Sequence, residues 1–142
     1  MGSQWGVAMK ISELAQATHL SPPTIRYYEG IGLLPPPSRV GGQRRYGTED
    51  IRRLTFIRRC RDLGFPIEQV RLLSALADDD SRPCMEARDV AQAHLHAVRE
   101  KLRTLGAIER SITGFIESAD ATCQGGPGAD CAVLRDLGAE VQ

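Results

Sequence analysis

From Met85 to about Ala119 the chain contains no proline, and apolar residues recur at Ala91, Leu95, Val98, Leu102, Leu105, Ile108, Ile112 and Phe115. The steps alternate mostly between four and three, which is the narrow apolar seam of a coiled coil. At ~1.5 Å per residue such a helix is roughly 50 Å long. A chain of 142 residues has too little left over to cover it, so the helix is expected to pack against a second copy of itself. The alternative is a surface helix folded over its own domain. Either way the length allows one compact module with an extension, or two small modules.

No run of 18 or more apolar residues occurs, which argues against a membrane-spanning helix. The first residues, MGSQWGVA, lack the basic start and apolar run of a signal peptide. Residues 1–8 are expected to be a disordered leader or expression remnant, and the protein to be cytoplasmic. Formal net charge is zero but unevenly spread: residues 1–76 hold eleven Lys and Arg against six Asp and Glu, a net of +5, whereas residues 77–142 hold seven against twelve, a net of −5. A basic half joined to an acidic half suits a chain in which one module meets a polyanion and the other does not. Two ordinary solvated surfaces are the competing explanation.

The basic half has the punctuation of a DNA reader. Lys10 to Ala17 reads as a short helix with Ile11, Leu14 and Ala15 on one face. His19-Leu20 makes a turn, Ser21 is a good N-cap, and Pro22-Pro23 fall in a first helical turn, where a missing N–H costs nothing. Thr24 to Glu29 then forms a second helix stopped by Gly30 and Gly32. Two short helices around a tight turn form a helix-turn-helix, whose second helix enters the major groove. That helix carries Thr24, Arg26 and Tyr27; arginine is the commonest bidentate partner of guanine edges, and tyrosine hydroxyls suit phosphate oxygens. Ile25 belongs to the core, and one of Tyr27 and Tyr28 is expected to pack.

Pro35-Pro36-Pro37 excludes helix, and Arg39 to Tyr46 reads as a two-stranded wing closed by Gly41-Gly42. Arginines on such a wing are placed to touch phosphates or a minor groove. Thr48 is expected to cap a helix from Glu49 to Leu63, and Pro66 to open another from Ile67 to Leu76.

The run Ile25-Arg26-Tyr27-Tyr28-Glu29-Gly30-Ile31-Gly32-Leu33-Leu34-Pro35, followed by Arg45-Tyr46, Ile51 to Ile57 and Leu63-Gly64-Phe65, closely resembles the MerR family of regulators over residues 9–77. The resemblance implies DNA contacts from Thr24, Arg26, Tyr27, Arg44, Arg45 and Tyr46. It also implies a homodimer held by an antiparallel pair of the long helices. In such proteins the liganded dimer untwists an over-long promoter spacer so that RNA polymerase can engage it, a form of indirect readout.

Four cysteines stand at 60, 84, 123 and 131. In a cytosolic chain close-spaced cysteines suggest metal or redox chemistry rather than structural disulfides. Cys60 reads as a buried small hydrophobe. Cys84 follows Pro83 at the start of the long helix, where the helix dipole favours a thiolate. Cys123 and Cys131 bracket a glycine-rich loop that can bring two sulfurs onto one soft or borderline ion. The long helix separates Cys84 from Cys123 within a chain, so only an antiparallel dimer can place Cys84 of one subunit beside Cys123 and Cys131 of the other.

The cysteine pattern resembles the family's metal sensors in two ways. A cysteine like Cys84 is typical of those answering mercury, zinc, cadmium or lead, and the Cys123–Cys131 loop is similar to that of the copper and silver sensors. Three thiolates suit a divalent ion (Zn, Cd, Hg or Pb) better than Cu(I). The stretch from Cys84 to Cys123 runs about one turn longer than in those sensors, a shift of ~5–6 Å along the axis. His94 and His96 stand two apart and cannot share a helix face.

The expected architecture is therefore mainly α. A winged helix-turn-helix occupies residues 9–77, a linker and antiparallel coiled-coil dimerisation helix residues 78–119, and a cysteine loop with a C-terminal tail residues 120–142. The expected function is a metal-sensing, DNA-binding transcriptional activator and not an enzyme. A thiol redox regulator using a Cys123–Cys131 disulfide is the alternative. An iron–sulfur site needs four clustered cysteines, a drug sensor needs room for a pocket, and a zinc enzyme needs an open metal position beside a base; none of these patterns is present.

Overall fold

The computed structural model describes residues 8–123 and 125–139. The expected leader lies outside them except for Ala8, which is exposed. Six α-helices and one hairpin follow in order: α1 (Ile11–Thr18), α2 (Pro22–Gly30), β1 (Ser38–Val40), β2 (Gln43–Arg45), α3 (Thr48–Asp62), α4 (Ile67–Ala77), α5 (Met85–Thr122) and α6 (Ala132–Gly138). The chain divides into two compact units, residues 1–91 and 92–142.

In the first unit α1 packs on α2 and α3, and α3 on α4. The helix-turn-helix forms for local reasons. Ser21 Oγ accepts from Thr24 N–H at 3.3 Å, and the prolines occupy the first turn of α2, where no intrahelical donor is needed. Between the helices His19 adopts φ 58°, a left-handed conformation in which histidine is enriched and that reverses the chain without glycine. Thr18 is buried and gives its hydroxyl to Leu14 O at 2.8 Å, so the end of α1 carries no orphan polar group into the core.

The hairpin pairs Ser38 with Arg45, Arg39 with Arg44 and Val40 with Gln43. Gly41 and Gly42 both have positive φ, 60° and 79°, as a two-residue turn matching strand twist requires. Its base is tied to the chain start: Met9 N–H donates to Tyr46 O at 2.8 Å, and Tyr46 N–H to Met9 O at 2.9 Å.

Helix α3 begins differently from expectation. Thr48 is its first residue rather than its cap, because the Asp50 carboxylate reaches back to accept Gly47 N–H at 2.9 Å. That carboxylate also lies in the first turn, where the helix dipole favours negative charge. The core is built from Leu14, Ile25, Leu34, Leu54, Ile57 and Val70, each at most 1% exposed, and Cys60 joins its edge as a small hydrophobe. Burial pushes the Cys60 thiol above its usual range, since the thiolate would be stranded from water.

Helix α5 has 38 residues, about 57 Å at 1.5 Å each, and none of them is buried. It runs three residues past the expected end at Ala119. Leu102, Leu105, Ile108 and Ile112 are all between 48% and 61% exposed. Gly106 and Gly114 lie within it. Residues 132–138, expected as tail, form α6 instead, with Val133 buried and Leu134 and Leu137 exposed.

Leu54 tests the first unit. Leu54→Ala is expected to lose roughly 2–5 kcal/mol, the range for a fully enclosed leucine whose cavity cannot collapse, read as a lowered urea midpoint with unchanged slope.

Candidate nucleic-acid interface and thiol site

Helix α2 presents two side chains to solvent on its outer face. Arg26 is exposed, and Tyr27 is 53% exposed while Tyr28 is 6% exposed in the core. The two rings stand 5.6 Å apart and tilted, so the packed tyrosine braces the free one. Thr24 is half-buried and shares a 2.8 Å hydroxyl contact with Ser21 Oγ, which holds it in the first turn. At the other end of α2, Arg71 Nη2 reaches from α4 to donate to Ile31 O at 2.6 Å, satisfying a carbonyl the helix leaves open.

The wing is locked to α2 by one carboxylate. The Glu29 side chain is 10% exposed; one of its oxygens accepts the Tyr46 hydroxyl and the other lies 3.5 Å from Arg44 Nε. Tyr46 is only 2% exposed. Among the residues expected to touch DNA, it is the one that the fold places inside, where it carries the wing rather than facing outward. Arg44 and Arg45 are half-buried, and Arg45 Nη1 donates to Arg44 O at 3.2 Å.

The surface cations sort into two sets. On α3 and beyond, Arg52, Arg53, Arg58, Arg82 and Arg103 each meet a carboxylate within 4 Å. Among the described residues no ion pair involves Lys10, Arg26, Arg39 or Arg45. These four lie on the start of α1, on α2 and on the wing. Arg59, Arg61 and Arg71 likewise appear in no ion pair, so it is the place of these four on the helix-turn-helix and wing, rather than the missing partners, that suits a polyanion. Sequence reading missed Lys10 and did not single out Arg39.

The second cluster of chemistry lies in the other unit. Cys123 and Cys131, with Thr122, Gly126, Pro127 and Asp130, line a cavity of about 210 Å³. Cys123 directly follows α5, its N–H donating to Ala119 O at 2.7 Å, and is exposed. A positive φ at Gly125 (79°) turns the chain back. Cys131 is half-buried before α6, and its carbonyl accepts Arg135 N–H at 3.1 Å. Both are free thiols. Cys84 is an exposed free thiol whose carbonyl accepts Arg88 N–H at 3.2 Å, just ahead of the first turn of α5; it belongs to the first unit. Among the described residues, no three His, Cys, Asp or Glu side chains of one chain converge to hold an ion. No helix among them is long and apolar enough to cross a membrane.

A helix-turn-helix followed by a two-stranded wing, with unpaired cations on both, defines a winged helix-turn-helix DNA-binding protein. The particular family follows from comparison: residues 9–76 match the model of the MerR HTH family regulatory protein, and residues 51–115 the model described as MerR, DNA binding. The chain belongs to the MerR family of transcriptional regulators. It is 36% identical to the HTH-type transcriptional regulator HmrR of Rhizobium leguminosarum bv. viciae, covering 91% of this chain and 97% of that one. It is 35% identical to a probable heavy metal-dependent transcriptional regulator of Haemophilus influenzae, covering 91% and 98%. Among solved structures, the transcription regulator PbrR691 from Ralstonia metallidurans CH34, in complex with lead(II), matches with a TM-score of 0.80 at 35% identity over 91% of this chain and 98% of that chain.

The Glu29 lock has a pH signature. Burial, then the hydrogen bond to Glu29, pushes the Tyr46 hydroxyl above its usual value near 10. Its folded-state value is raised, so its contribution is fully present below pH ~10 and is lost as pH rises beyond it. Tyr46→Phe is expected to cost about 1–3 kcal/mol at neutral pH, because it leaves a buried carboxylate oxygen unpaired. The same variant should flatten the alkaline fall in stability, followed by chemical denaturation from pH 8 upward.

Proposed function

We propose that the protein is a homodimeric, metal-responsive transcriptional regulator whose thiolates at Cys123 and Cys131, joined by Cys84 of the partner subunit, hold a thiophilic divalent ion. The observation that carries the reading is the pair of free thiols facing one cavity beside the end of α5. Relatives named for heavy-metal dependence, and one solved with lead(II), support it. The donor set fits such an ion: soft thiolates bind Zn, Cd, Hg, Pb or Cu(I) in preference to hard cations. Three thiolates favour the divalent ions. The bound ion supplies a soft Lewis acid that crosslinks its ligands, and the chain's part is to offer the sulfurs on a tight loop and to carry the change to DNA.

The exposed seam of α5 supports the dimer. Its leucines and isoleucines lie open on a single chain, the state that an antiparallel partner helix would relieve. In this reading Thr24, Arg26, Tyr27, Arg44 and Arg45 meet promoter DNA while Tyr46 holds the wing in place. The liganded dimer then distorts the promoter for RNA polymerase, with sequence read partly as deformability.

Competition binding of Zn, Cd, Hg, Pb and Cu(I) to the reduced protein tests the site. About one divalent ion per subunit is expected, with thiolate-to-metal absorption that Cys123→Ser and Cys131→Ser each abolish. Unchanged affinity in Cys84→Ser would remove that residue from the site. No binding by the reduced protein would replace the metal reading with a reversible Cys123–Cys131 disulfide. Separately, Ile112→Glu is expected to convert the dimer to monomer in sedimentation, since it buries a charge in the seam.

A further inference from the structure

A shallow groove of about 550 Å³ runs along α5, lined chiefly by leucines and isoleucines between Leu102 and Ile112. Among the described residues, Glu109 is the only charged one that lines it. The acid stands in the seam itself. Alternating steps of four and three that pass through Leu95, Leu102 and Leu105 land on Glu109 before they resume at Ile112 and Ile116. No ion pair among the described residues involves Glu109, and the same holds for Arg99, earlier on α5. One helix thus carries an acid and a base without partners, the acid on an apolar face.

A helix laid antiparallel on its own copy over its full length has its two-fold axis at its midpoint. For α5, Met85–Thr122, that point falls between Arg103 and Thr104. The resulting register sets Leu102 against the partner's Leu105 and Leu95 against the partner's Ile112. It sets Val98 against the partner's Glu109. Arg99 lies one step of four after Leu95, so it flanks the row formed by Leu95, Leu102 and Glu109. Antiparallel pairing brings that flank of one helix against the same flank of the other. We infer that Glu109 forms an ion pair with Arg99 of the partner subunit, twice per dimer, and that this pair fixes the register of the two helices. The inference rests on the homodimer reading and deepens it. An apolar seam alone accepts several registers, whereas one polar seam residue specifies a single one at a cost in stability. Sliding either helix by one heptad would put the partner's Gly106 or the partner's Gln92 where Arg99 of the partner subunit stood. The carboxylate would then lie in the seam without a cation, which is the costly state. The full-length register also brings Cys84 of the partner subunit level with Cys123, since these residues adjoin opposite ends of α5.

The test is sedimentation equilibrium of the full, reduced protein in the presence of a chelator. Glu109→Arg and Arg99→Glu are each expected to weaken the homodimer roughly tenfold or more, because each sets two pairs of like charges across the seam. Mixed in equal amounts, the two variants should form a heterodimer of parental affinity, since each then meets the opposite charge on the other. Both substitutions in one chain should likewise restore the homodimer. These rescues separate lost pairing from lost fold. Glu100→Arg, on the face of α5 opposite the seam, should keep the parental affinity. Parental homodimers in both single variants, a tenfold loss in Glu100→Arg, or an equimolar mixture that stays monomeric overturns the ion pair and leaves the dimer intact as a reading. A parent that is itself monomeric overturns the dimer reading.

Discussion

One buried carboxylate holds the DNA-facing parts of this protein in a single frame. Glu29 lies in the last turn of α2, and its two oxygens are divided between Tyr46 and Arg44 at the end of the wing. Besides it, helix and wing are connected by the proline-rich stretch from Pro35 to Pro37, by packing around Leu33 and Leu34, and through the Met9–Tyr46 bridge to α1. A carboxylate that is nine-tenths enclosed is tolerated because both oxygens have partners. The consequence is mechanical: α2 and the wing, the two elements proposed to meet DNA, are held to one another.

The same economy governs the rest of the first unit. Arg71 secures the far end of α2, the Met9–Tyr46 bridge secures the wing base, and Asp50 secures the start of α3. The first two are polar contacts between segments that the hydrophobic core alone would leave free to slide, and the third is local to the helix start. Arg44 serves the internal frame through Glu29, whereas Arg26, Arg39 and Arg45 on α2 and the wing carry no ion pair among the described residues.

Much of this was legible in the sequence where local chemistry decides the outcome. Ser21 with Pro22-Pro23, and Gly41-Gly42 between Arg39 and Arg44, mark a helix start and a hairpin turn without tertiary help. What could not be read was any contact whose partners are far apart in the chain. Tyr46 looked like a surface tyrosine because its acceptor lies 17 residues earlier. Lys10 stands beside the wing only because the fold brings the chain start there. Thr48 is not the cap because the helix starts one residue earlier than the cap reading implies, with Gly47 as N-cap and its N–H held by Asp50. Helix α6 was invisible because seven residues with a single buried side chain leave almost no periodicity. The cysteine loop was recognisable by spacing, whereas the cavity the two thiols share depends on the turn at Gly125.

The two glycines inside α5 bear on how long such a helix stays formed. Each lowers local helix stability by about 1 kcal/mol relative to alanine, and Gly106 and Gly114 fall in the stretch where Leu105, Ile108 and Ile112 are open to solvent. A helix with no buried residue of its own takes its persistence from whatever covers its seam. Its backbone amides should therefore exchange with solvent as freely as association permits. In the proposed dimer, the stiffness of α5 would then be set by protein concentration as well as by sequence.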